Sequence, residues 1–414
     1  MDALHPRCAG IDVHKKMVAV CALWSRDDGT RDRKHRSFGT TTPELEAMAA
    51  WLAELDCRDV AMEATGVYWK PINNVLERAG GFRVTVANAE HMRAVPGRKT
   101  DVNDAQWIAE LLRHGLLRPS FIPDREQRET RDLTRYRTAL IHEKVNTINR
   151  LQKTLEAGNI KLASFLSDVT GLSGQRILSA LVEGHADPEE LAQLADYRVR
   201  TKPEVLVRAL TGQMSDVLRF LVGEQLEHIA HLDDAIERLD VAIAERMRPF
   251  AELIERLDAI PGVGLRTAQV IVAEVGTDMS RFPTYRHLCA WAGVAPANRK
   301  SAGKRRRAPT RKGNPWLYAA LTAAAAAVGK CKEGYLTAQL KSLTPRLGRM
   351  KAIVAVAHSI LVIVYQMIAG GTEYRDLGGT HLDDRKREAV QRRALRQLHD
   401  LGFTVELTPA LQPV

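Results

Sequence analysis

Two acidic residues interrupt apolar runs near the start of the chain, and they limit what this region can fold into. Asp12 lies inside the run Cys8–Val13, and Glu63 ends the run Val60–Glu63; both runs are typical of buried strands. A carboxylate in an apolar strand is costly unless a cation or hydrogen bonds compensate it. The sequence therefore predicts two strands whose carboxylates meet a compensating charge.

Two further carboxylates follow in a segment with helical periodicity. Asp101 and Asp104 are three residues apart in Asp101–Leu112, so both lie on one face of the predicted helix. Four converging carboxylates repel one another without a metal, and hard oxygen ligands suit Mg²⁺. Such a set can hold two Mg²⁺ ions about 4 Å apart for phosphate chemistry. The alternative is that these residues are surface and capping acids, since Asp101 follows Thr100 and could simply begin the helix.

Charge and cysteine content narrow the class of protein. The chain has 414 residues, a net charge of +10 and a pI of about 9.4, which favours nucleic acid as a polyanionic partner. Its five cysteines are widely spaced, which is typical of reduced thiols in a cytoplasm, and no signal peptide is expected. The apolar stretch 352–369 is long enough for a membrane span, but His358, Ser359 and Gln366 favour a buried core helix.

The order of apolar runs predicts an α/β domain followed by helices. Apolar runs near residues 8–13, 17–23, 60–63 and 82–87 predict four strands, and the polar segment 33–38 is expected to add a fifth strand to the same mixed sheet. The middle of the chain carries a heptad pattern. One position holds Val222, Ile229, Ile236, Ile243 and Phe250, and the other holds Leu218, Leu232 and Leu239. This pattern predicts either a coiled-coil seam for assembly or a long helix packed on its own domain.

Two features of the third region point to phosphate contacts. Pro261-Gly262-Val263-Gly264 joins two predicted helices as a helix-hairpin-helix, in which Gly262 and Gly264 let backbone N–H groups approach a phosphate. A plain helix–turn–helix connection is the alternative. The stretch 296–315 is strongly basic and has no acidic residue, so it is expected to contact nucleic-acid phosphates.

Several sequence blocks together resemble the DEDD-type insertion-sequence transposases over nearly the whole chain. In the amino-terminal part the blocks are Gly10–Lys15, Met62–Trp69 and Lys99–Leu112; in the carboxyl-terminal part they are Ile260–Gly276, Arg281–Arg307 and Arg311–Leu321. The resemblance implies an α/β RNase H/RuvC-like domain, a helical coiled-coil linker, and a mainly α C-terminal transposase domain with a helix-hairpin-helix. We place these at residues 1–122, 123–256 and 257–382, followed by a charged tail at 383–414.

The resemblance also implies residue roles. It makes Asp12, Glu63, Asp101 and Asp104 the metal ligands, and it makes Ser301 a nucleophile that becomes covalently linked to DNA. A serine hydroxyl needs a base or a metal to activate it, and nearby cations stabilise charge on the phosphoryl oxygens. The nucleic-acid contacts are expected at Arg299, Lys300, Lys304, Arg305, Arg306, Arg307, Arg311 and Lys312.

The partners follow from the same resemblance. It implies donor and target DNA, a noncoding bridge RNA as guide, two Mg²⁺ ions, and a bacterial cytoplasmic dimer or tetramer with composite active sites. Two other functions stay open: a RuvC-like nuclease that hydrolyses branched DNA, with Ser301 incidental, and a non-catalytic nucleic-acid-binding protein.

Overall fold

The structure, a computed structural model, contains two compact units, Met1–Arg125 and Glu126–Val414. It describes residues 3–26, 30–64, 66–88, 92, 104–297, 299–301, 304–306, 309–310 and 312–405. Asp101, Arg307 and Arg311 lie outside these described residues. The finer division of the second unit into linker, transposase domain and tail stays a prediction.

A five-stranded sheet forms the centre of the first unit, as the sequence predicted. Its strands are β1 Arg7–Val13, β2 Met17–Ser25, β3 Arg31–Gly39, β4 Asp59–Glu63 and β5 Arg83–Ala87. The order across the sheet is β3-β2-β1-β4-β5; β1, β2 and β3 pair antiparallel, while β4 is parallel to β1 and to β5. The mixed-sheet prediction is therefore confirmed.

Helices cover both faces of this sheet. Helices α1 (Thr42–Glu54) and α2 (Trp69–Ala79) pack against alternate residues of β1, among them Ala9 and Ile11. Helix α3 (Asp104–Arg113) packs on the other face, where it meets Cys8 of β1 and Ala61 of β4. Since side chains alternate along a strand, Asp12 and Glu63 belong to the face that α3 covers.

Helix α3 lies almost directly on β1 because Gly10 has no side chain. A Cβ atom at Gly10 would lie 2.1 Å from the carbonyl oxygen of Ala105 and 2.4 Å from the amide nitrogen of Ala109. At the far end of the helix, the carbonyl oxygen of Arg113 accepts from the amides of Leu4 and His5. The helix therefore runs antiparallel to β1, and its amino-terminal end lies toward the carboxyl end of that strand.

The second unit is mainly helical. Its described helices, with α4 beginning at the unit boundary, are α4 Arg125–Ala157, α5 Leu162–Phe165, α6 Leu172–Glu183, α7 Pro188–Gln193, α8 Pro203–Leu210, α9 Asp216–Arg246, α10 Ala251–Asp258, α11 Leu265–Val275, α12 Tyr285–Trp291, α13 Pro315–Ala327, α14 Tyr335–Leu347, α15 Arg349–Gly370 and α16 His381–Asp400. A small antiparallel ribbon, β6 Arg299–Ser301 and β7 Lys304–Arg306, lies between α12 and α13.

The heptad residues of α9 are buried inside their own chain. Val222 and Ile229 belong to a core shared with α4, α6 and α8, and Ile236 packs with Leu140 of α4. Ion pairs and hydrogen bonds along both helices also join α9 to α4, including the ion pair between Arg246 and Glu129 at 2.9 Å. Within the single chain, these residues pack as the interpretation of a helix packed on its own domain predicts.

The apolar stretch near the carboxyl end is a core helix. Among the residues that the structure describes, α15 is the one helix whose length and composition would allow a membrane span, with a mean hydropathy of 2.2. Its residues Val356, Ile360 and Val364 are fully buried. The helix packs against α12, α13 and α14, which explains its apolar composition without a membrane.

Replacing Gly10 by alanine should destabilise the first unit, because the added methyl group would collide with the carbonyl oxygen of Ala105. Such overpacking typically costs about 1–3 kcal/mol. Burial raises the pKa of the Cys8 thiol to about 12, so this thiol should react only after opening of the fold. In Gly10→Ala, Cys8 and Cys57 should become reactive at a lower denaturant concentration than in the wild type. The denaturant concentration at which Cys289 of the other unit reacts should stay the same.

Gly379→Ala is the matched control, because a Cβ atom at Gly379 meets nothing within 4 Å. Unchanged thiol reactivity of the first unit in Gly10→Ala would show that α3 can move away from β1 without cost.

Candidate active site

Asp12 and Glu63 lie side by side at the carboxyl ends of two neighbouring parallel strands. Ile11 pairs with Met62, so the next residues along each strand, Asp12 and Glu63, are opposite one another. Both residues are half-buried on the face that α3 covers. The predicted pair of strand carboxylates is therefore close in space.

Asp104 reaches the same end of the sheet through α3. Cys8 donates a hydrogen bond to the carbonyl oxygen of Ala109 at 3.5 Å, and Ala105 lies against Gly10. Each step along the helix toward its amino terminus is thus a step along β1 toward Asp12. Asp104, which precedes Ala105, is exposed at the end of the helix nearest the two strand carboxylates.

His14 adds a further polar group to this end of the sheet. Its Nε2 atom lies 3.0 Å from Oδ2 of Asp12, while 58% of the histidine side chain and 22% of the aspartate side chain stay exposed. One Asp12 oxygen therefore has a partner, and the aspartate side chain stays partly accessible to water.

The three described carboxylates suit a hard divalent cation by their chemistry. They come from three elements and are only partly buried, so water could complete an octahedral shell. No ready-made group of three ligand side chains occurs among the described residues. The fourth predicted ligand, Asp101, lies outside them. Asp12, Glu63, Asp104 and Asp101 would hold the ion.

Ser301 lies in a β-hairpin, which the sequence did not predict. It is the last residue of β6 and pairs with Lys304, while Lys300 pairs with Arg305 and Arg299 with Arg306. The base of the hairpin is closed by the amide of Ala297, which donates to the carbonyl oxygen of Pro309 at 3.0 Å. The basic stretch therefore presents Ser301 near the tip of a ribbon whose paired residues are mostly cations.

The segment that follows the hairpin is fixed by close backbone contacts. The Asn314 amide donates to the carbonyl oxygen of Trp291 at 3.0 Å, which joins the two ends of the hairpin segment. A Cβ atom at Gly313 would lie 2.3 Å from the amide nitrogen of Gly293, so only glycine fits there. The Asn314 side chain then caps α13 by accepting from the amides of Trp316 and Leu317.

Glu274 is a fully buried carboxylate that holds this segment to α4. Arg135 donates to its two oxygens at 2.7 and 2.8 Å, Arg131 lies 3.4 Å away, and the Asn314 side-chain amide donates at 2.6 Å. The Arg131 guanidinium also lies over the ring of Trp291. We call Glu274, Arg131, Arg135 and Asn314 the glutamate knot.

Sequence reasoning missed the glutamate knot, although a signal was present. Glu274 interrupts the apolar run Val270–Val275 in the same way that Asp12 interrupts β1. The same cost of a buried carboxylate applies, but here the compensating charges are arginines of α4, about 140 residues earlier in the chain.

A second polar cluster lies beside the first. Arg137, which is 1% exposed, donates to Asp240 of α9 and to Gln269 of α11, both at 2.6 Å. Arg266 donates to the other oxygen of Asp240 at 2.6 Å. Burial alone would raise the pKa of the Asp240 carboxyl, but the hydrogen bonds from Arg137 and Arg266 outweigh burial and hold the pKa below its ordinary value.

The two glycines of the helix-hairpin-helix have different roles. Gly262 has φ +83°, and a Cβ atom there would lie 2.3 Å from the carbonyl oxygen of Ala324, so packing against α13 requires a glycine. Gly264 precedes α11 and has open space around it. Phosphate approach therefore stays a prediction for Gly264, whereas Gly262 has a structural reason to be glycine.

Glu274→Gln should destabilise the second unit, because two arginines would lose their carboxylate partner. Removing one member of a buried ion pair costs up to about 3–5 kcal/mol. The loss of stability is measured by the denaturant dependence of thiol modification at Cys289, which is buried in α12 beside this region. Glu156→Gln is the control, since Glu156 pairs with Lys161 at the surface, and it should change far less. Equal stability of both variants would contradict a supporting role for the glutamate knot.

Both parts of the candidate site lie in regions that match known protein families. Residues 9–159 match a family profile for DEDD transposases of the IS110 type, described as a transposase. Residues 254–340 match a profile described as the transposase IS116/IS110/IS902 family. The first range contains the four acids, and the second contains Ser301 and Glu274.

Individual relatives give the same indication. The chain is 26% identical to the transposase for insertion sequence element IS1111A of Coxiella burnetii, over 88% of this chain and 90% of that protein. It is 28% identical to an IS110 insertion element protein of 43.6 kDa from Streptomyces coelicolor, over 72% of this chain and 78% of that protein. A pilin gene-inverting protein of Moraxella bovis is 28% identical over 28% of this chain and 44% of its own length.

Proposed function

Because the chain belongs to the IS110 family of DEDD-type transposases, we propose that it recombines DNA through a serine–DNA intermediate at a Mg²⁺-dependent site. The observation that carries this proposal is the side-by-side position of Asp12 and Glu63 at the carboxyl ends of β1 and β4, with Asp104 at the end of α3 that lies toward them. The strand order β3-β2-β1-β4-β5 supports an RNase H/RuvC-like arrangement of that sheet.

The acids and the serine have separate tasks in this proposal. Asp12, Glu63, Asp101 and Asp104 would hold Mg²⁺, and the ion would supply Lewis-acid stabilisation of negative charge at the scissile phosphate. The Ser301 oxygen forms a bond to phosphorus while the bond from phosphorus to a deoxyribose oxygen breaks, and the proton lost by the serine hydroxyl balances the one gained by the departing deoxyribose oxygen. Asp12, already oriented by His14 at 3.0 Å, keeps its second oxygen for the ion.

A covalent serine intermediate would favour strand exchange over hydrolysis. A phosphoserine ester keeps the free energy of the broken bond, so a deoxyribose hydroxyl can displace Ser301 and rejoin DNA without ATP. The neighbouring cations of β6 and β7 offset charge on the phosphate oxygens. Arg307, Arg311 and Lys312 extend this basic surface, and phosphate contacts at these residues are part of the proposal.

A relative's name favours rejoining over simple cutting. The Moraxella bovis protein is called a pilin gene-inverting protein, and inversion of a DNA segment requires that cut ends are joined again. A RuvC-like nuclease, the enzymatic alternative, would leave free ends. The non-catalytic alternative does not account for two half-buried carboxylates side by side at the ends of neighbouring apolar strands.

Assembly and guidance complete the proposal. A noncoding bridge RNA pairs with donor and target DNA, and a dimer or tetramer brings the serine of one protomer to the acids of another. Both features come from the family resemblance. Because the heptad residues of α9 are buried in their own chain, the assembly contact must use a different surface.

Ser301→Ala should abolish the covalent protein–DNA adduct, because no hydroxyl is left to bond to phosphorus. Trapped reactions with radiolabelled DNA, resolved on denaturing gels, measure the adduct, and DNA affinity should stay unchanged. Ser342→Ala, which removes an exposed serine hydroxyl from α14 of the same unit, is the matched control and should keep full adduct yield.

The products separate the alternatives. Protein-linked ends that are lost in Ser301→Ala support the recombinase. Free phosphate and hydroxyl ends that persist in Ser301→Ala would support the nuclease and remove Ser301 from the mechanism.

A further inference from the structure

A preformed cleft of about 450 Å³ lies in the second unit, away from the hairpin. One wall is α15, the neighbouring walls are the first residues of α12 and α14, and the remaining wall is the segment 372–377. This volume is in the usual range for sites that bind small molecules or single groups.

Aromatic and aliphatic side chains form most of the cleft. Tyr285, Tyr335 and Tyr374 contribute rings from three different parts of the chain, and Val362 and Ile363 of α15 contribute an apolar surface. All five residues are half-buried, so their cleft-facing atoms are open to a ligand. Flat aromatic ligands stack well on such rings.

The segment that closes the cleft is held by one carboxylate. Asp376 accepts hydrogen bonds from the Tyr335 amide at 3.0 Å, the Tyr374 hydroxyl at 2.8 Å and the Gly378 amide at 2.7 Å. Burial and the neighbouring Asp376 raise the pKa of Tyr374 well above its ordinary value, so its hydroxyl stays neutral and donates to Asp376. The cleft is therefore preorganised, which lowers the cost of binding.

His358 gives the cleft a polar group with unused hydrogen-bonding capacity. It lines the cleft half-buried, and no hydrogen bond to it is found within the described part of the chain. Burial lowers the pKa of His358, so the ring is neutral at physiological pH and offers one donor and one acceptor. Gln366, also on the cleft wall, adds an amide with both donor and acceptor groups.

The cleft is a short helix away from the base of the hairpin. Tyr285 begins α12 and Trp291 ends it, a distance of roughly 9 Å at 1.5 Å per residue. The carbonyl oxygen of Trp291 is the group that accepts from Asn314 at the end of the hairpin segment. The exposed cations Arg286 and Arg375 lie beside the cleft and suit a phosphate backbone.

We propose that this cleft binds one unpaired nucleobase of the nucleic-acid strand that passes the hairpin. A nucleobase is a flat heterocycle that stacks on tyrosine rings and presents both donors and acceptors to His358 and Gln366. An aliphatic chain would leave those polar groups without partners. A free phosphate would face the carboxylate of Glu373, which also lines the cleft. The choice of a nucleic-acid ligand rests on the proposed function.

Photocrosslinking of the full-length protein tests this inference. Single strands carrying 5-iodouracil are used in an RNA form and in a DNA form, and crosslinked peptides are mapped by mass spectrometry. We expect crosslinks at Tyr285, Tyr335 or Tyr374 in at least one form, and the form that reacts identifies the strand. Tyr335→Leu should reduce crosslinking at the remaining cleft tyrosines and weaken strand binding by roughly 10-fold, the size typical of losing one stacked base.

Two further variants keep the result interpretable. Tyr197→Leu removes a tyrosine that is 86% exposed elsewhere in the second unit, and it should change neither crosslinking nor affinity. Ile363→Phe narrows the cleft from the α15 wall and should lower crosslinking at the cleft tyrosines. This variant tests the cleft independently of Tyr335→Leu. If Tyr335→Leu disturbs the fold, Cys289 will lose its protection from thiol modification.

The outcomes separate this inference from the proposed function. Crosslinks confined to residues 299–312, unaffected by both Tyr335→Leu and Ile363→Phe, would overturn the cleft as a base site even if the serine–DNA adduct forms normally. Cleft crosslinks in a protein that forms no adduct would support the base site while the proposed chemistry fails.

Discussion

The contact between Gly10 and the backbone of α3 is the constraint on which the candidate metal site depends. Any side chain at residue 10 would separate the helix from β1, since even a Cβ atom would lie 2.1 Å from the carbonyl oxygen of Ala105. With glycine there, the amino-terminal end of the helix reaches the strand ends where Asp12 and Glu63 pair. A helix end is also favourable for negative charge, which lowers the cost of gathering carboxylates.

In the second unit, buried ion pairs have the corresponding role. The glutamate knot and the Arg137–Asp240 cluster join α4, α9 and α11 to the segment that carries the Ser301 hairpin. Buried ion pairs give little net stability compared with apolar residues, but they fix one arrangement because their loss is costly. We infer that they keep the base of the hairpin in one position relative to the long helices.

The sequence predicted the elements whose residues have a clear periodicity. Apolar runs indicated four of the five strands, and Asp12 and Glu63 stood out because they interrupted or ended two of those runs. The remaining strand, β3, is mostly polar, and only its Phe38 is buried. The ribbon of β6 and β7 was not predictable, because a run of lysine and arginine has neither apolar alternation nor a clear turn signal. Its pairing depends on the closed base, where Ala297 donates to the carbonyl oxygen of Pro309.

The sequence also could not predict which residues far apart in the chain contact one another. The heptad residues of α9 show that an apolar stripe is buried, but the same stripe fits a second copy or α4 of the same chain. Glu274 likewise needs a compensating charge, and nothing local indicates Arg135. The role of Gly262 in packing against Ala324 depends on α13, which is far along the chain.

The central claim is that the acids of the first unit and the hydroxyl of Ser301 act on the same DNA linkage. The most direct measurement is mass-spectrometric mapping of DNA-linked peptides from the wild-type protein and from Asp12→Asn, with Asp32→Asn on β3 as control. The account predicts a nucleotide on Ser301 in the wild type and the control, and none in Asp12→Asn. A nucleotide on another residue, or an undiminished Ser301 adduct in Asp12→Asn, would contradict it.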